Sequence, residues 1–410
     1  MDITCTIDGF GPLPVLHPTS VAELGDHVRT AGAEGHALYP IGGKTLLGLG
    51  LPPTKPGSAL DLRGLNQVID YPARDMTITV QAGITIQRLQ SILQAEGQWL
   101  PVDVPCPERA TLGGAIATNA SGPRRCGHGT LRDYVIGITV VNDEGQEVKG
   151  GGRVVKNVAG YDLMKLYTGS LGTLGIITQV TLKVKPLPER TDLLVVLSSA
   201  DELDPVLDQL HASRTRPVCI DVLSPDAAPA AGLGELPPEQ WLVVVGFEGT
   251  ARAVGWQTAQ LRKELPGGTA ASVCSRPDAL LDELRDFAVR PPERFSIKVN
   301  LLPSAVAGFC KEAAALSPRL LLQAHGGNGI VVIHAPPDLT REQSSAMLTT
   351  LAPLATAAQG NLIVTRCPSE WKADLPIWGR ATRDRALMRA VKERLDPRGT
   401  FNPGRFVDGI

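Results

Sequence analysis

The chain has 410 residues, a formal net charge of −2 at pH 7, 43% hydrophobic residues and 20% charged ones. That balance supplies packed cores for about two to three domains and excludes a disordered chain. With no long basic run, nucleic-acid binding has no electrostatic footprint.

The seven cysteines, Cys5, Cys106, Cys126, Cys219, Cys274, Cys310 and Cys367, are scattered and form no C-x-x-C pair. The sequence therefore shows no local iron–sulfur or zinc motif, and an odd, dispersed set suits a reducing compartment. The N-terminus MDITCTIDGF has no basic region ahead of an apolar run. No apolar stretch approaches the roughly 18 residues of a membrane span. A cytoplasmic protein is expected, meeting a membrane only at its periphery and through partner subunits.

In chain order, residues 18–35 predict a helix, with Ser20 and Glu23 at capping-box spacing and Gly32 or Gly35 as its stop. HALYPI predicts a strand that runs into Gly42-Gly43-Lys44-Thr45. This turn is half of the phosphate loop G-x-x-x-x-G-K-[ST]. Leu38 stands where the first glycine belongs, and Pro40 removes a backbone donor. What remains is a strand and a glycine turn suited to close backbone approach, with its ligand open.

SALDLRGLNQVIDY reads as a strand and a turn, MTITVQAG as a period-two strand, and ITIQRLQSILQAEG as a helix stopped at Gly97. Residues 101–130 are dense in Gly, Pro and small side chains, a long irregular segment of the kind that wraps a ligand. A hairpin turning at Asp143-Glu144-Gly145 follows. Then come a short helix in YDLMKLYTGS, for which Asp162 is a candidate cap, and a long strand in GTLGIITQVTLKVKP. Pro186 and Pro188 mark a boundary that divides the chain into domains 1–189 and 190–410.

Beyond 190, the strand-like runs LLVVL, VCIDVL and WLVVVGF alternate with helical runs at 201–213 and 251–265. FSIKVN, LLLQA, GIVVIH and NLIVT do the same with helices at 303–317 and 338–358. The order predicts an α+β domain of two βαββα units on one antiparallel sheet, a ferredoxin-like repeat. The Pro- and Ala-rich stretch 224–240 reads as a surface loop. A helix at 382–395 and the tail LDPRGTFNPGRF close the chain, the tail returning to the first domain.

Five separated blocks, PIGGKT, DLRGLN, VQAG, TLGGAIATNASG and LGTLGIIT, stand in this order between about residues 10 and 190. Together they resemble the two-subdomain FAD-binding domain of the vanillyl-alcohol oxidase, or PCMH, type. The resemblance implies FAD and a set of contacts. Pro40, Ile41, Gly42, Gly43, Lys44 and Thr45 would cradle the pyrophosphate, with glycine N–H groups turned toward the anion. Gly113, Gly114, Thr118 and Asn119 would lie along the flavin, and Ile176 and Ile177 would flank the adenosine end. Pro105, Thr111, Ser121, Gly122, Gly175 and Asn402 join them as implied cofactor contacts. Relatives attach the flavin through a histidine in or near the first glycine loop. Lys44 stands there in this chain, with Cys126 and His128 the only nearby nucleophiles, so noncovalent FAD is expected.

KERLDPRGTFNPGRF is similar to the terminal K-x-x-L-D-P-x-G-x-x-N-P-G of FAD-linked 2-hydroxy-acid dehydrogenases. Catalytic members also carry H-A-G-D-G-N-L-H and G-E-H-G-I-G, whose histidines and acid bind a divalent metal. Here the first motif reads AHGGNGIVVIH: His325 matches, Asn328 replaces the acid, and Val332 stands for the second histidine. The second stretch, roughly 360–380, has no histidine. A metal site needs several converging ligands. No metal is expected, His325 reads as a hydrogen-bonded residue, and no catalytic residue is assigned.

An intact FAD pattern beside an eroded metal motif resembles the flavin-binding subunits of bacterial-type glycolate oxidases. That resemblance implies a complex with a catalytic flavin subunit and an iron–sulfur subunit, oxidising a small hydroxy acid, glycolate to glyoxylate. Two alternatives stay open: a self-sufficient FAD-linked 2-hydroxy-acid dehydrogenase, and a scaffold subunit that binds FAD without turnover. Arg124, Arg125 and Arg132 are candidates to balance reduced flavin or hold a carboxylate, with plain surface charge the other reading.

Overall fold

The computed structural model describes residues 3–152, 160–230, 237, 239–265, 271–289, 295–380 and 382–410. The chain groups into two compact units. One comprises Met1–Ala120, Thr130–Leu187 and Ala381–Ile410, the other Ser121–Gly129 and Pro188–Arg380.

The first unit begins with β1 (Thr4–Ile7), β2 (Phe10–Leu16), α1 (Val21–Glu34), β3 (Ala37–Ile41) and β4 (Gly57–Asp61), whose strands form a sheet in the order β1-β2-β4-β3. Leu24, Val28 and Ala31 recur at helical spacing and are the buried stripe of α1. Ser20 accepts the Glu23 N–H at 3.2 Å, and Gly35 takes a left-handed φ of 70° to end the helix. Only half of the expected capping box forms. The Glu23 carboxylate takes the N–H and hydroxyl of Thr19, at 2.7 and 2.8 Å, in place of the Ser20 N–H. Pro40 is tolerated in β3 because β3 is an edge strand, where a missing donor breaks no ladder.

Next come β5 (Val68–Asp70), β6 (Thr77–Gln81), α2 (Ile86–Gln94), β7 (Gln98–Trp99), α3 (Leu112–Thr118), α4 (Arg125–His128), α5 (Leu131–Tyr134), β8 (Val135–Val141), β9 (Glu147–Gly151), α6 (Leu163–Tyr167), β10 (Ile176–Lys183) and β11 (Lys185–Pro186). An antiparallel sheet runs β5-β6-β10-β8-β9, and its Ile78, Val80, Ile138 and Val180 share a core with Leu89, Leu93, Leu112 and Ile116 of α2 and α3. Residues 101–130 are thus less irregular than their composition predicts. Gly113 and Gly114 sit inside α3, capped by Thr111, because Gly113 packs against β6: a β-carbon there would lie 2.9 Å from the Ala82 methyl. Asp162 caps α6, accepting the Lys165 N–H at 3.3 Å. The preceding KNVA, residues 156–159, lies outside the described residues.

The second unit carries β12 (Arg190–Ser198), α7 (Leu203–Ala212), β13 (Cys219–Leu223), α8 (Ala227–Ala230), β14 (Trp241–Gly249), α9 (Ala251–Glu264), β15 (Ala271–Val273), α10 (Pro277–Asp286), β16 (Phe295–Asn300), α11 (Val306–Leu316), β17 (Leu321–His325), β18 (Ile330–Ala335), α12 (Arg341–Ala357) and β19 (Asn361–Arg366). One antiparallel sheet takes them in the order β15-β12-β14-β13-β17-β18-β16-β19. The α+β architecture read from the alternation of strands and helices is the observed one. The stretch 224–240 is not all surface loop: Ala227 and Ala228 are wholly buried in a core shared with Leu280, Leu281 and Leu284 of α10. Residues 231–236 and 238 of that stretch lie outside the described residues.

Last comes α13 (Arg385–Leu395), whose Lys392 is buried. Lys392 Nζ donates to Asp396 (2.5 Å), to the Thr173 carbonyl (2.7 Å) and to the Phe401 carbonyl (2.9 Å). The same Asp396 carboxylate accepts the N–H groups of Thr400 and Phe401, so one buried ion pair fixes the turn into the tail. Among the described residues no helix is long and apolar enough to cross a membrane.

Candidate functional site

β3 delivers Gly42 and Gly43 to a crowded place. A β-carbon on Gly42 would overlap the Thr111 hydroxyl, and one on Gly43 would overlap the Arg109 carbonyl. Glycine is required here by proximity, while the left-handed residue of the loop is Lys44, at φ 59°. Residues 45–48 are turn, so no helix follows the loop directly. The phosphate loop of nucleotide hydrolases seats its anion on such a helix N-terminus, which this half-motif lacks.

Between the loop and α3 lies a cleft of about 840 Å³, open to solvent. Pro40, Ile41, Gly42, Gly43, Lys44, Thr45, Pro105, Thr111, Gly114, Thr118 and Asn402 all line it. A second opening of about 460 Å³ shares the wall of Pro40, Ile41, Gly42, Thr111 and Gly114 and reaches Gly113, Gly175, Ile176 and Ile177. Every cofactor contact implied by the sequence lines one of the two, except Asn119, Ser121 and Gly122. Asn119 is the left-handed C-cap of α3, and its carboxamide oxygen is buried without a partner. Ser121 and Gly122 fall in the second unit, where Ser121 accepts from Arg125 at 3.3 Å.

Among the lining residues that the sequence reading did not name are Leu171 and Arg405. Leu171, at φ 53°, lines both openings, and its carbonyl accepts the Asn402 amide at 2.5 Å. Arg405 lines the larger cleft and donates to the carbonyls of Leu47, Leu49 and Leu51, at 2.5, 2.8 and 2.6 Å. Its position just after the NPG run was the available signal. The residues present fit a flat dinucleotide. The walls join glycine main chain and small side chains to the aliphatic Ile7, Leu46, Leu47, Leu49 and Leu171, and Lys44 supplies a positive charge. Among the described residues no cysteine, histidine or tyrosine lines either opening.

In the second unit, His325 ends β17 directly opposite Asp221 of β13, and its Nδ1–H donates to Asp221 Oδ1 at 2.9 Å. Gln323 Nε2 donates to the other Asp221 oxygen at 2.7 Å. Asn328 lies in the turn before β18, with both amide atoms buried and unpartnered, and Val332 is a buried β18 residue. His334 is fully buried, and burial pulls its pKa down to about 4. As a neutral ring it donates from Nε2 to the Phe287 carbonyl (2.7 Å) and accepts the Ser296 hydroxyl at Nδ1 (2.8 Å). His128 Nε2 meets Glu248 at 2.7 Å, and Arg124 meets the same carboxylate at 3.2 Å. The Cys126 thiol packs on Gly327, and burial, then the charge of Asp221, pushes its pKa up. Among the described residues no group of three or more His, Cys, Asp or Glu is placed to hold a metal ion.

Comparison with known proteins agrees with this geometry. The family described as FAD binding domain matches residues 12–151, and FAD linked oxidases, C-terminal domain, matches residues 379–406. The chain is 30% identical over 433 aligned residues to a D-2-hydroxyglutarate dehydrogenase of Xanthomonas citri pv. viticola, covering 97% of this chain and 89% of that one. It is 32% identical over 221 residues to glycolate oxidase subunit GlcE of Escherichia coli K12, covering 54% of this chain and 57% of the subunit. An alkyldihydroxyacetonephosphate synthase structure shares the fold, with a TM-score of 0.72 at 19% identity over 96% of this chain and 77% of that one. The chain belongs to the FAD-linked oxidase family and is an FAD-dependent oxidoreductase of the PCMH type.

Proposed function

We propose that the chain is the FAD-binding flavoprotein subunit of an oxidase or dehydrogenase complex for a small 2-hydroxy acid, glycolate above all. It would work beside a catalytic flavin subunit and an iron–sulfur subunit, in the cytoplasm, with membrane contact only through those partners. One observation carries the reading: a glycine-walled cleft stands in the same chain as a metal motif whose remaining histidine is tied to Asp221. The partial likeness to a glycolate oxidase subunit supports the subunit role.

In this reading loop 40–45 holds the pyrophosphate, α3 lies along the ring system, and Ile176 and Ile177 flank the adenosine. FAD, when bound, supplies the hydride acceptor. The chain's own part is to bind and orient it: glycine main chain admits close approach and Lys44 offsets phosphate charge. Attachment is noncovalent in this proposal, a reading supported by a lining that offers no cysteine, histidine or tyrosine among the described residues. The donor set of the second unit favours a metal-independent site.

Full-length likeness to a D-2-hydroxyglutarate dehydrogenase favours a second reading, a self-sufficient dehydrogenase. The purified chain decides between them. Its absorption spectrum is expected to show flavin that moves to the supernatant on acid precipitation. With glycolate or D-lactate and a dye acceptor, the chain alone is expected to turn over poorly. Robust turnover by the isolated chain rejects the subunit role. A bound flavin that never changes redox state while the whole complex turns over leaves only a scaffold.

A further inference from the structure

The turn between α6 and β10 has an awkward backbone. Gly169, Leu171, Gly172 and Gly175 all take positive φ, of 83°, 53°, 67° and 154°. Glycine adopts such values freely, but Leu171 carries a β-carbon and stays left-handed only where its surroundings hold it. Leu171 lines both openings of the first unit, and Gly172, Gly175, Ile176 and Ile177 continue the wall of the second.

The turn is held from two sides. From α3, the carbonyls of Ile116 and Ala117 accept the N–H groups of Gly169 and Leu171, at 2.9 and 2.8 Å. From the tail, Asn402 donates to the Leu171 carbonyl at 2.5 Å and Lys392 Nζ to the Thr173 carbonyl at 2.7 Å. The tail is tied as well to β3, the strand that delivers the glycine loop: Leu38 donates to the Thr400 carbonyl (2.7 Å) and accepts the Asn402 N–H (3.0 Å). Lys392 and Asp396 set the tail's path, the ammonium holding the Phe401 carbonyl and the carboxylate the N–H groups of Thr400 and Phe401. Both residues are buried and neither lines an opening. A well-packed apolar pair of similar size is often as stable as a buried ion pair, but it could not hold two carbonyls and two N–H groups in place.

We propose that Lys392 and Asp396 are positioning residues for the dinucleotide: they fix the Thr173 carbonyl and the tail at 400–402, and through them the wall that Leu171 to Ile177 presents to the adenosine half of FAD. The inference rests on the reading above that these openings hold FAD, and it adds what keeps their walls apart at the right distance. The pair acts on the cofactor only through the turn and the tail, so its effect on affinity is separable from its effect on stability.

The test measures both quantities on the full chain stripped of flavin, by calorimetric titration with FAD and by urea midpoint. Lys392→Met leaves the Asp396 carboxylate buried without its cation and is expected to lower both. Combining Lys392→Met with Asp396→Asn removes both charges while keeping an acceptor for the tail. That double variant is expected to regain most of the midpoint yet bind FAD about 10-fold more weakly than the parent, the scale of one lost charge-assisted hydrogen bond. A double variant that regains FAD affinity together with its midpoint overturns the proposal and leaves the pair a purely structural role. Hydrogen exchange on the unmutated chain decides the matter even if the variants stay unstable. A wall fixed for FAD is stabilised by FAD in return, so the coenzyme should slow exchange at the Leu171, Thr400 and Asn402 amides along with the glycine loop. Protection confined to the glycine loop overturns the proposal too. A chain that binds flavin but shows these contrary results refutes this inference alone, whereas a chain that never takes up flavin refutes the reading beneath it.

Discussion

The cleft of the first unit and the sheet face of the second manage polarity by opposite means. The cleft is walled by glycine main chain, small residues and aliphatic side chains, and its Arg405 is engaged by the carbonyls of Leu47, Leu49 and Leu51. The sheet face is built from ionisable side chains, Asp221, His325, His334, Glu248 and Lys298, which only strand register brings together. A wall made of backbone tolerates no added carbon but titrates little. A wall made of side chains tolerates changes of shape but responds to every proton.

That contrast breaks most visibly at Gly43. In Gly43→Val the new side chain would overlap the Arg109 carbonyl, a backbone atom that cannot step aside. The variant is expected to purify without flavin absorbance and to lose about 1–3 kcal/mol of stability, read from its spectrum and a urea midpoint. Asp396→Ala sharpens the contrast within the first unit, where buried charge occurs in the tail and not in the loop. It strands the Lys392 ammonium and two N–H groups, and is expected to cost about 3–5 kcal/mol in chemical denaturation.

The second unit should differ in its pH response. The folded pKa of His334 is about 4 against an ordinary 6.5, so the unfolded chain binds the extra proton first. Stability from this group is full above pH 6.5, falls as pH drops toward 4, and levels off below, a total of roughly 3 kcal/mol. His334→Gln is expected to flatten that stretch of the stability–pH curve. The smallest effect belongs to Ser20→Ala, which removes one cap hydrogen bond from α1 and should cost about 1 kcal/mol with flavin retention unchanged.

The same contrast explains what could be read from the sequence. The blocks PIGGKT and TLGGAIATNASG were legible because close approach excludes side chains and leaves a pattern of small residues in fixed order. Their residues line the openings apart from Leu112, Ile116, Asn119, Ser121 and Gly122. The helix through Gly113 and Gly114 was hidden by the same glycines, which read as breakers although they serve packing against Ala82. In the second unit the alternation of apolar runs gave strands and helices. The partnership of Asp221 with His325, 104 residues apart, depends on which strands pair, and no local pattern records it. β15 was missed for lack of length, whereas α10 was left unread although Leu280, Leu281 and Leu284 recur at helical spacing behind Pro277.

Arg405 carries a consequence for biogenesis. The carbonyls of residues 47, 49 and 51 receive their guanidinium only when a residue more than 350 positions later has been made. Translation runs from the N-terminus, so the loop that carries residues 47, 49 and 51 is made long before the Arg405 that completes its hydrogen bonds. If the proposed cleft holds the coenzyme, nascent chains halted before Arg405 emerges should be colourless.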